Sequence, residues 1–495
     1  MSAESGVIPV EDSSTVGVGR VHAAEAPAVT AASWKLALGL GVLLAWQLMV
    51  VLDGTIVNIA LTHIRESLAF STVGLSWVVN AYALAFGGLL LLGSRAGDVF
   101  GRRRALVVGV LVFTAASALG GVAETPQMLI LARILQGVGA AIAAPSTLSL
   151  IVTNFEAGSA RDRAISLFAS VSGVGASIGL ILGGILTSWL SWHWVFFVNV
   201  PIGVAVAILA PRVVKEAPRM PGRLDIGGAI TSTVGVSTLV YGFIRAAEDG
   251  WTDALTIASF AAAVVLLAAF VTIERRVSQP IMPFRLFDER NRALAFLAML
   301  FVPSALFGVF FFLTQYLQTV LGMSAIESGF AFLPFSATIV IGSRIIPRAV
   351  QRVGARFVVI YGATAIAAGL TLLSQLDQDT AYFPFVLLAM IVTASGAVSN
   401  FVALNLTIMG RIAPQDSGAA SGLMQTAQQI GGAIGLAVLV TVFTTVSSSA
   451  AQAGDDALQA MVSGMQRGFL TAAGLALVVL LIAVFGLRSP QRTEA

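Results

Sequence analysis

Apolar residues run along the chain in long blocks, separated by short stretches that carry charge, proline or glycine. A membrane-spanning helix needs about 20 consecutive, mostly apolar residues. Averaged over a window of about 19 residues, the pattern predicts fourteen such helices, at 37–61, 73–93, 105–123, 126–152, 164–188, 194–211, 225–245, 253–273, 292–314, 328–347, 357–375, 383–408, 417–445 and 467–487. Strands are excluded as spans, because an isolated strand cannot satisfy its backbone in lipid. Little more than Glu124 and Thr125 divides the third span from the fourth, and Pro126 predicts a hairpin there. Residues 1–36 lack a basic segment and an apolar segment ahead of a cleavage site, so they predict a disordered cytoplasmic tail and not a signal peptide. No connection is long enough for a folded domain. The stretch 274–292, with Arg275, Arg276, Pro280 and Pro283, predicts a surface connector with an amphipathic turn, and 446–466 predicts a mobile outer loop.

Composition agrees. Of 495 residues 57% are hydrophobic and 11% charged, against roughly 25% charged in soluble domains, which excludes a soluble enzyme. High hydrophobicity also excludes intrinsic disorder. The net charge of +3 says less than its distribution. With the N-terminus placed in the cytoplasm, the inward connections and adjoining span ends hold twenty Lys and Arg, and the outward ones hold three, Arg65, Arg245 and Arg467. Basic residues accumulate on the cytoplasmic side, so both the span count and cytoplasmic termini follow, including a C-terminal tail at 488–495. The absence of cysteine removes thiol, disulfide and iron–sulfur chemistry. His22, His63 and His193 are too scattered to form a metal site. No Walker A pattern, nucleophile elbow or His/Cys cluster appears, which argues against an enzyme and against a self-contained ATP-driven pump.

A charge at the bilayer centre costs several kcal/mol and is a functional candidate by default. Asp53 lies about 12 Å below the outer edge of the first span and Arg133 about 10 Å below that of the fourth. Opposite charges at similar depth are suited to pairing or to sharing a polar cavity. Trp46, seven residues before Asp53, shares its helix face, and Thr55 and Asn58 add polarity further on. A proton-coupling site and a purely structural ion bridge are both compatible with this pattern.

The second and third spans are joined by Gly93-Ser-Arg-Ala-Gly-Asp-Val-Phe-Gly-Arg-Arg-Arg104. Its glycines permit close helix approach, and Asp98 suits the positive end of a helix. This segment resembles motif A of the major facilitator superfamily. Leu52-Asp-Gly-Thr-Ile-Val-Asn-Ile-Ala-Leu61 is similar to the first-helix motif of its fourteen-span drug:proton antiporter family, Leu131-Ala-Arg-Ile-Leu-Gln-Gly-Val-Gly-Ala140 to motif B, and Gly175-Ala-Ser-Ile-Gly-Leu-Ile-Leu-Gly-Gly184 to motif C. The segments 192–203 and 315–318 resemble the same family. Ser94, Val99 and Leu180 depart from the usual glycine, basic residue and proline.

The resemblance implies an all-α integral membrane protein with the major facilitator fold, in which six-helix halves at 37–211 and 292–487 flank two inserted helices at 225–273. It implies proton-coupled efflux of lipophilic drugs, antibiotics or related metabolites by alternating access, with Asp53 and Arg133 in proton coupling. Gly93, Arg95, Gly97, Asp98, Gly101, Arg102 and Arg103 would form the gating loop. Gly175, Gly179 and Gly183, spaced by four and followed by Gly184, make a smooth face for close packing. No cofactor is expected beyond the proton gradient, and the partners are a small lipophilic substrate, protons and the lipid bilayer, with no nucleic acid. A monomer is expected. Few lysines, many arginines and much alanine and glycine point to a GC-rich bacterium and so to a bacterial cytoplasmic membrane. An uptake symporter or facilitator on the same fold is the alternative.

Polar or aromatic groups deep in spans are the substrate-cavity candidates, namely Trp46, Asn58, Asn80, Tyr82, Phe311, Gln315, Asn400, Asn405, Gln425 and Gln428. Their alternative role is hydrogen bonding between helices. The C-terminal half offers no clearly buried carboxylate. Family members that export divalent cations tend to carry extra acids, so the resemblance implies monovalent, neutral or anionic lipophilic cargo here.

Overall fold

The computed structural model describes residues 31–156, 158–219, 224–278, 280–410, 412 and 417–488, so almost all of both predicted tails lies outside the described residues. Sixteen α-helices are described: α1 Ala31–Leu68, α2 Thr72–Phe100, α3 Arg102–Gly121, α4 Pro126–Asn154, α5 Ser159–Trp189, α6 Trp194–Phe197, α7 Asn199–Val213, α8 Ile226–Glu248, α9 Ala254–Glu274, α10 Arg290–Gln315, α11 Ala325–Ala331, α12 Leu333–Val353, α13 Ala355–Leu373, α14 Leu387–Met409, α15 Ser417–Ala453 and α16 Ala457–Leu481. No strand occurs among the described residues.

Thirteen helical segments among the described residues are long and apolar enough to cross a membrane. The predicted span at 164–188 falls within the single helix α5, whose end, Ile178–Trp189, is apolar. Two spans are each built from two helices. The sixth, Trp194–Val213, breaks at Val198 between α6 and α7, and the tenth, Ala325–Val353, breaks at Phe332. The hairpin predicted at Pro126 is present: α3 ends at Gly121, Thr125 accepts from Met128 N, and Pro126 opens α4, where its missing N–H costs nothing. The outer loop predicted at 446–466 is corrected. Here α15 continues to Ala453 and α16 begins at Ala457, so only residues 454–456 turn, with Gly454 at φ +103° and Asp456 capping α16. Hydropathy reports lipid contact and not helicity, and this stretch is rich in helix-tolerant Ala and Gln.

α1 packs on α5 and α7, α2 on α4, and α3 on α4 and α7. Further along, α10 packs on α14, α15 and α16, and α13 on α14 and α16. The α8–α9 hairpin is held through α8, which touches both α2 and α15. At the end assigned to the outside, Gln318 Nε2 donates to Ile59 O (2.9 Å) and Ile326 N to Ser188 Oγ (3.2 Å). Glycine makes this contact possible. A Cβ on Gly184 would lie 2.7 Å from Ala325 O, and one on Gly329 2.7 Å from Leu180 O.

Gly93 seats α2 on α4, and any Cβ there would run into the Ala141 carbonyl, with Ala141 C at 2.7 Å. Backbone cannot swing aside as a side chain can. We therefore expect Gly93→Ala to destabilise the bundle by about 1–3 kcal/mol, read as a lowered midpoint of thermal unfolding in detergent. An unchanged midpoint would refute the close α2–α4 crossing.

Candidate functional site

Four helical elements deliver polar groups to one point in the first half of the chain. Asp53 on α1 is fully buried, and Arg133 on α4 is 2% exposed. Arg133 Nη1 donates to Asp53 Oδ2 at 2.6 Å, and its Nε donates to Val78 O on α2 at 2.8 Å. The other carboxylate oxygen, Asp53 Oδ1, accepts from Gln136 Nε2 (2.8 Å) and from Asn199 Nδ2 (3.2 Å). Gln136 sits three residues past Arg133, on the same face of α4, and its Oε1 accepts from Arg133 Nη1 at 3.0 Å. Ser117 on α3 closes the network. Its Oγ accepts from Gln136 Nε2 and Asn199 Nδ2, both at 3.1 Å, and donates to Phe196 O at 2.9 Å. Asn199, the first residue of α7, reaches Asp53 from the start of that helix.

A charge taken from water must be repaid by a partner and by hydrogen bonds to its remaining atoms. Asp53 receives one opposite charge and two amide donors. The face of the Arg133 guanidinium is covered by the Tyr82 ring, 4.4 Å from Cζ to the centroid, a cation–π contact that desolvation strengthens.

Beside this network lies a cavity of about 250 Å³. α1 lines it with Gln47, Gly54, Thr55 and Asn58, α2 with Tyr82 and Phe86, α10 with Phe307, and α15 with Gln425, Gln428 and Gln429. Arg133 also borders it, whereas Asp53 does not. The Tyr82 hydroxyl and Thr426 Oγ1 have no hydrogen-bond partner among the described residues. Drug-sized sites run from about 300 Å³ upward, so a bulky cargo requires this one to widen.

Of the ten residues expected to face cargo, Asn58, Tyr82, Gln425 and Gln428 line the cavity. The other six lie outside its lining. Trp46 is fully buried edge-on against Phe113 (5.5 Å between centroids). Asn80 is fully buried away from the cavity. Phe311 packs on Phe312, and Gln315 donates to Phe311 O at 3.1 Å. Asn400 fills the α13–α14 crossing opposite Gly362, and Asn405 donates to Met424 Sδ at 3.4 Å. Depth in a span marks a polar residue as enclosed, but only rotation about the helix axis decides whether it meets a cavity or a neighbour. Gln136, Ser117 and Asn199 were not singled out from sequence. Each is a polar residue inside a span, and Gln136 and Asn199 fall within motif-like segments, which was the signal available.

The motif A loop is pinned to its own half. Asp98 pairs with Arg102 at 2.6 Å, and Arg102 Nη1 reaches Pro145 O on α4 at 3.4 Å. Gly101 turns the chain at φ +109°, a conformation that favours glycine. Glu216, just past α7, accepts from Arg103 N at 2.8 Å and so caps α3. Arg103 Nη1 in turn donates to Pro211 O and Val214 O. Gly97 sits against Ser146, with 3.1 Å from a built Cβ to its Oγ, and Arg95 lines a cleft beside Arg102. The motif C glycines face α1: a Cβ on Gly175 would lie 3.1 Å from Val51 Cγ1 and one on Gly183 2.8 Å from Ile56 O, while one on Gly179 would strike Thr55 Oγ1.

A multi-pass helical bundle with a buried ion pair beside a cavity suits a membrane transporter. Residues 43–436 match the Major Facilitator Superfamily model, and the chain belongs to that superfamily. It is 41% identical over 464 residues to the puromycin resistance protein pur8 of Streptomyces alboniger, covering 92% of each chain. It is 40% identical to the cephamycin export protein CmcT of Amycolatopsis lactamdurans, covering 80% of this chain and 82% of that one, and 35% identical to a lincomycin resistance protein of Streptomyces lincolnensis, covering 86% and 87%. Among solved structures, the peptide transporter PepTSo aligns with a TM-score of 0.66 at 14% identity over 91% of this chain and 98% of that one. The xylose transporter XylE from E. coli, in a partially occluded inward-open conformation, aligns at 0.60 and 12% identity over 94% and 100%. These two likenesses concern the fold alone.

Removing Arg133 leaves the Asp53 carboxylate buried and unpaired. Arg133→Met should therefore lower stability by about 3–5 kcal/mol, with much of that loss recovered in Asp53→Asn/Arg133→Met. Unfolding of the purified variants by denaturant measures both, and equal losses in the single and double variants would show that the pair is not energetically coupled.

Proposed function

We propose that this protein is a proton-coupled exporter that carries small lipophilic molecules, antibiotics or related metabolites among them, out through a bacterial cytoplasmic membrane as a monomer with both termini inside. The observation that supports this most is that Arg133 borders the cavity and pairs with Asp53. A proton and Arg133 compete for the Asp53 carboxylate. A proton arriving at Asp53 weakens the pair and frees Arg133 to turn into the cavity, where it takes the place of cargo, and loss of the proton draws Arg133 back and opens the cavity to cargo again. The two six-helix halves then rock about this midplane site, with the motif A loop and the glycine-lined α1–α5 contact as moving joints. The names of the relatives, which include puromycin resistance and cephamycin export, support outward transport of such compounds.

Energy is sufficient. An inward proton gains about 2.3 kcal/mol per 100 mV, and a tenfold gradient of neutral cargo costs about 1.4 kcal/mol. The described cavity lining offers amides, a phenol and aromatic rings but no carboxylate, which supports neutral or monovalent cargo over divalent cations.

Inverted vesicles energised to an acidic interior test the proposal. Addition of puromycin or of a lipophilic monovalent cation should release protons through the wild type and not through Asp53→Asn, with no release for a dication of similar size. Transport without proton movement would make the protein a facilitator and return Asp53 to a structural role.

A further inference from the structure

The mechanism leaves unused a second buried acidic site. Asp225 caps the start of α8, where its Oδ1 accepts from Gly228 N at 2.8 Å. Glu274 closes α9, and its Oε2 accepts from Met282 N at 3.0 Å. Both side chains are more than nine-tenths buried, at 6% and 2% exposure. Their remaining oxygens, Asp225 Oδ2 and Glu274 Oε1, converge on Gly228, where a built Cβ would lie 2.5 Å from the first and 2.6 Å from the second. Neither oxygen has a donor among the described residues. Two carboxylate oxygens that share one dry niche with no donor repel each other, and a single proton between them turns the repulsion into a hydrogen bond.

The niche is tied to the connector that follows α9. Glu274 holds the Met282 N–H, and Ser278, Pro280, Ile281, Pro283 and Arg285 of that connector wall a cleft of about 430 Å³. The opposite wall is motif A itself, with Ser94, Arg95, Asp98 and Arg102, next to Gly418 and Ala419 at the start of α15. The charged group that faces Glu274 is Asp225, while Arg275 and Arg276 follow it in the chain and Arg285, Arg95, Asp98 and Arg102 line the cleft.

We propose that Asp225 and Glu274 form a second proton-binding site, which takes one proton from the cytoplasm and, while it holds it, clasps the 280–287 part of the connector against the motif A side of the inner mouth. Loss of that proton leaves two facing carboxylates. Glu274 then swings out, the Met282 N–H loses its acceptor, and the connector leaves the mouth. The clasp binds a proton that the released form does not, so it is favoured at low pH and lost as pH rises through its own midpoint. This site stands apart from the Asp53 network and does not depend on the direction of transport.

The cysteine-free chain allows spin labels at Ser94→Cys and Ser278→Cys, with distances read in lipid nanodiscs from about pH 5 to about pH 9, a range that brackets documented buried carboxyls. The ratio of near to far populations should fall about tenfold per pH unit around the midpoint, as expected for one linked proton. Glu274→Gln cannot ionise and can donate to Asp225, so it should hold the near population at every pH. Asp225→Asn retains an oxygen to cap Gly228, gives an amide to Glu274 and should do the same if Glu274→Gln fails to fold. Infrared difference spectra should show a protonated carboxyl stretch lost at high pH in the parent and absent from both variants. A ratio independent of pH, a variant that titrates like the parent, or a ratio that follows sodium instead of pH would each overturn the proposal.

Discussion

The structure depends on a carboxylate that must not be left alone in a low-dielectric interior. Asp53 is fully buried in a bundle whose packing is mostly apolar. Desolvating a carboxylate costs several kcal/mol even after relaxation, and that cost fixes the relation of α1 to α3, α4 and α7. Arg133 and Gln136 on α4, Asn199 on α7 and Ser117 on α3 meet only if those helices hold their rotation and depth. Apolar side chains can slide past one another at little cost, whereas the hydrogen bonds to Asp53 cannot be made in any other register.

The rest of the bundle solves a different problem, that of bringing backbones close where lipid gives helices no hydrophobic reason to associate. Glycine does most of this, and it does so twice. Gly109 and Gly139 bring α3 onto α4, and Gly362 and Gly396 bring α13 onto α14. Gly101 joins α2 to α3 with positive φ, and Gly354 joins α12 to α13 in the same way. Gly342-Ser-Arg344 repeats Gly93-Ser-Arg95 in sequence, and Gly342 packs against the Val398 side chain of α14 where Gly93 packs against the α4 backbone. The charge cluster has no such counterpart among the described residues.

Most of the spans and the enclosure of Asp53 and Arg133 were legible, with thirteen apolar helical segments of spanning length among the described residues, because lipid enforces both residue by residue. Helix continuity was less so. The break at Val198 and the extension of α15 to Ala453 depend on local caps and packing that a hydropathy average smooths away. Side-chain azimuth was least legible. Asn58 and Tyr82 face the cavity whereas Trp46 and Asn80, on the same two helices, do not, because at about 100° per residue they fall on different sides of those helices. The glutamines of α15 were the exception. Their i, i+3, i+4 spacing defines one stripe, and Gln425, Gln428 and Gln429 reach the cavity together.

The ion pair has an electrical consequence. Asp53 and Arg133 sit 2.6 Å apart and sum to zero, so a half that rocks with the pair intact carries no net charge from this site through the membrane field and does no work against it. One added proton makes the same cluster a monopole of +1, on which about 2.3 kcal/mol acts for each full traverse of 100 mV. In the cycle proposed above, the bridge makes one leg indifferent to voltage and the other responsive, with no further charged residue spent in the membrane to do so.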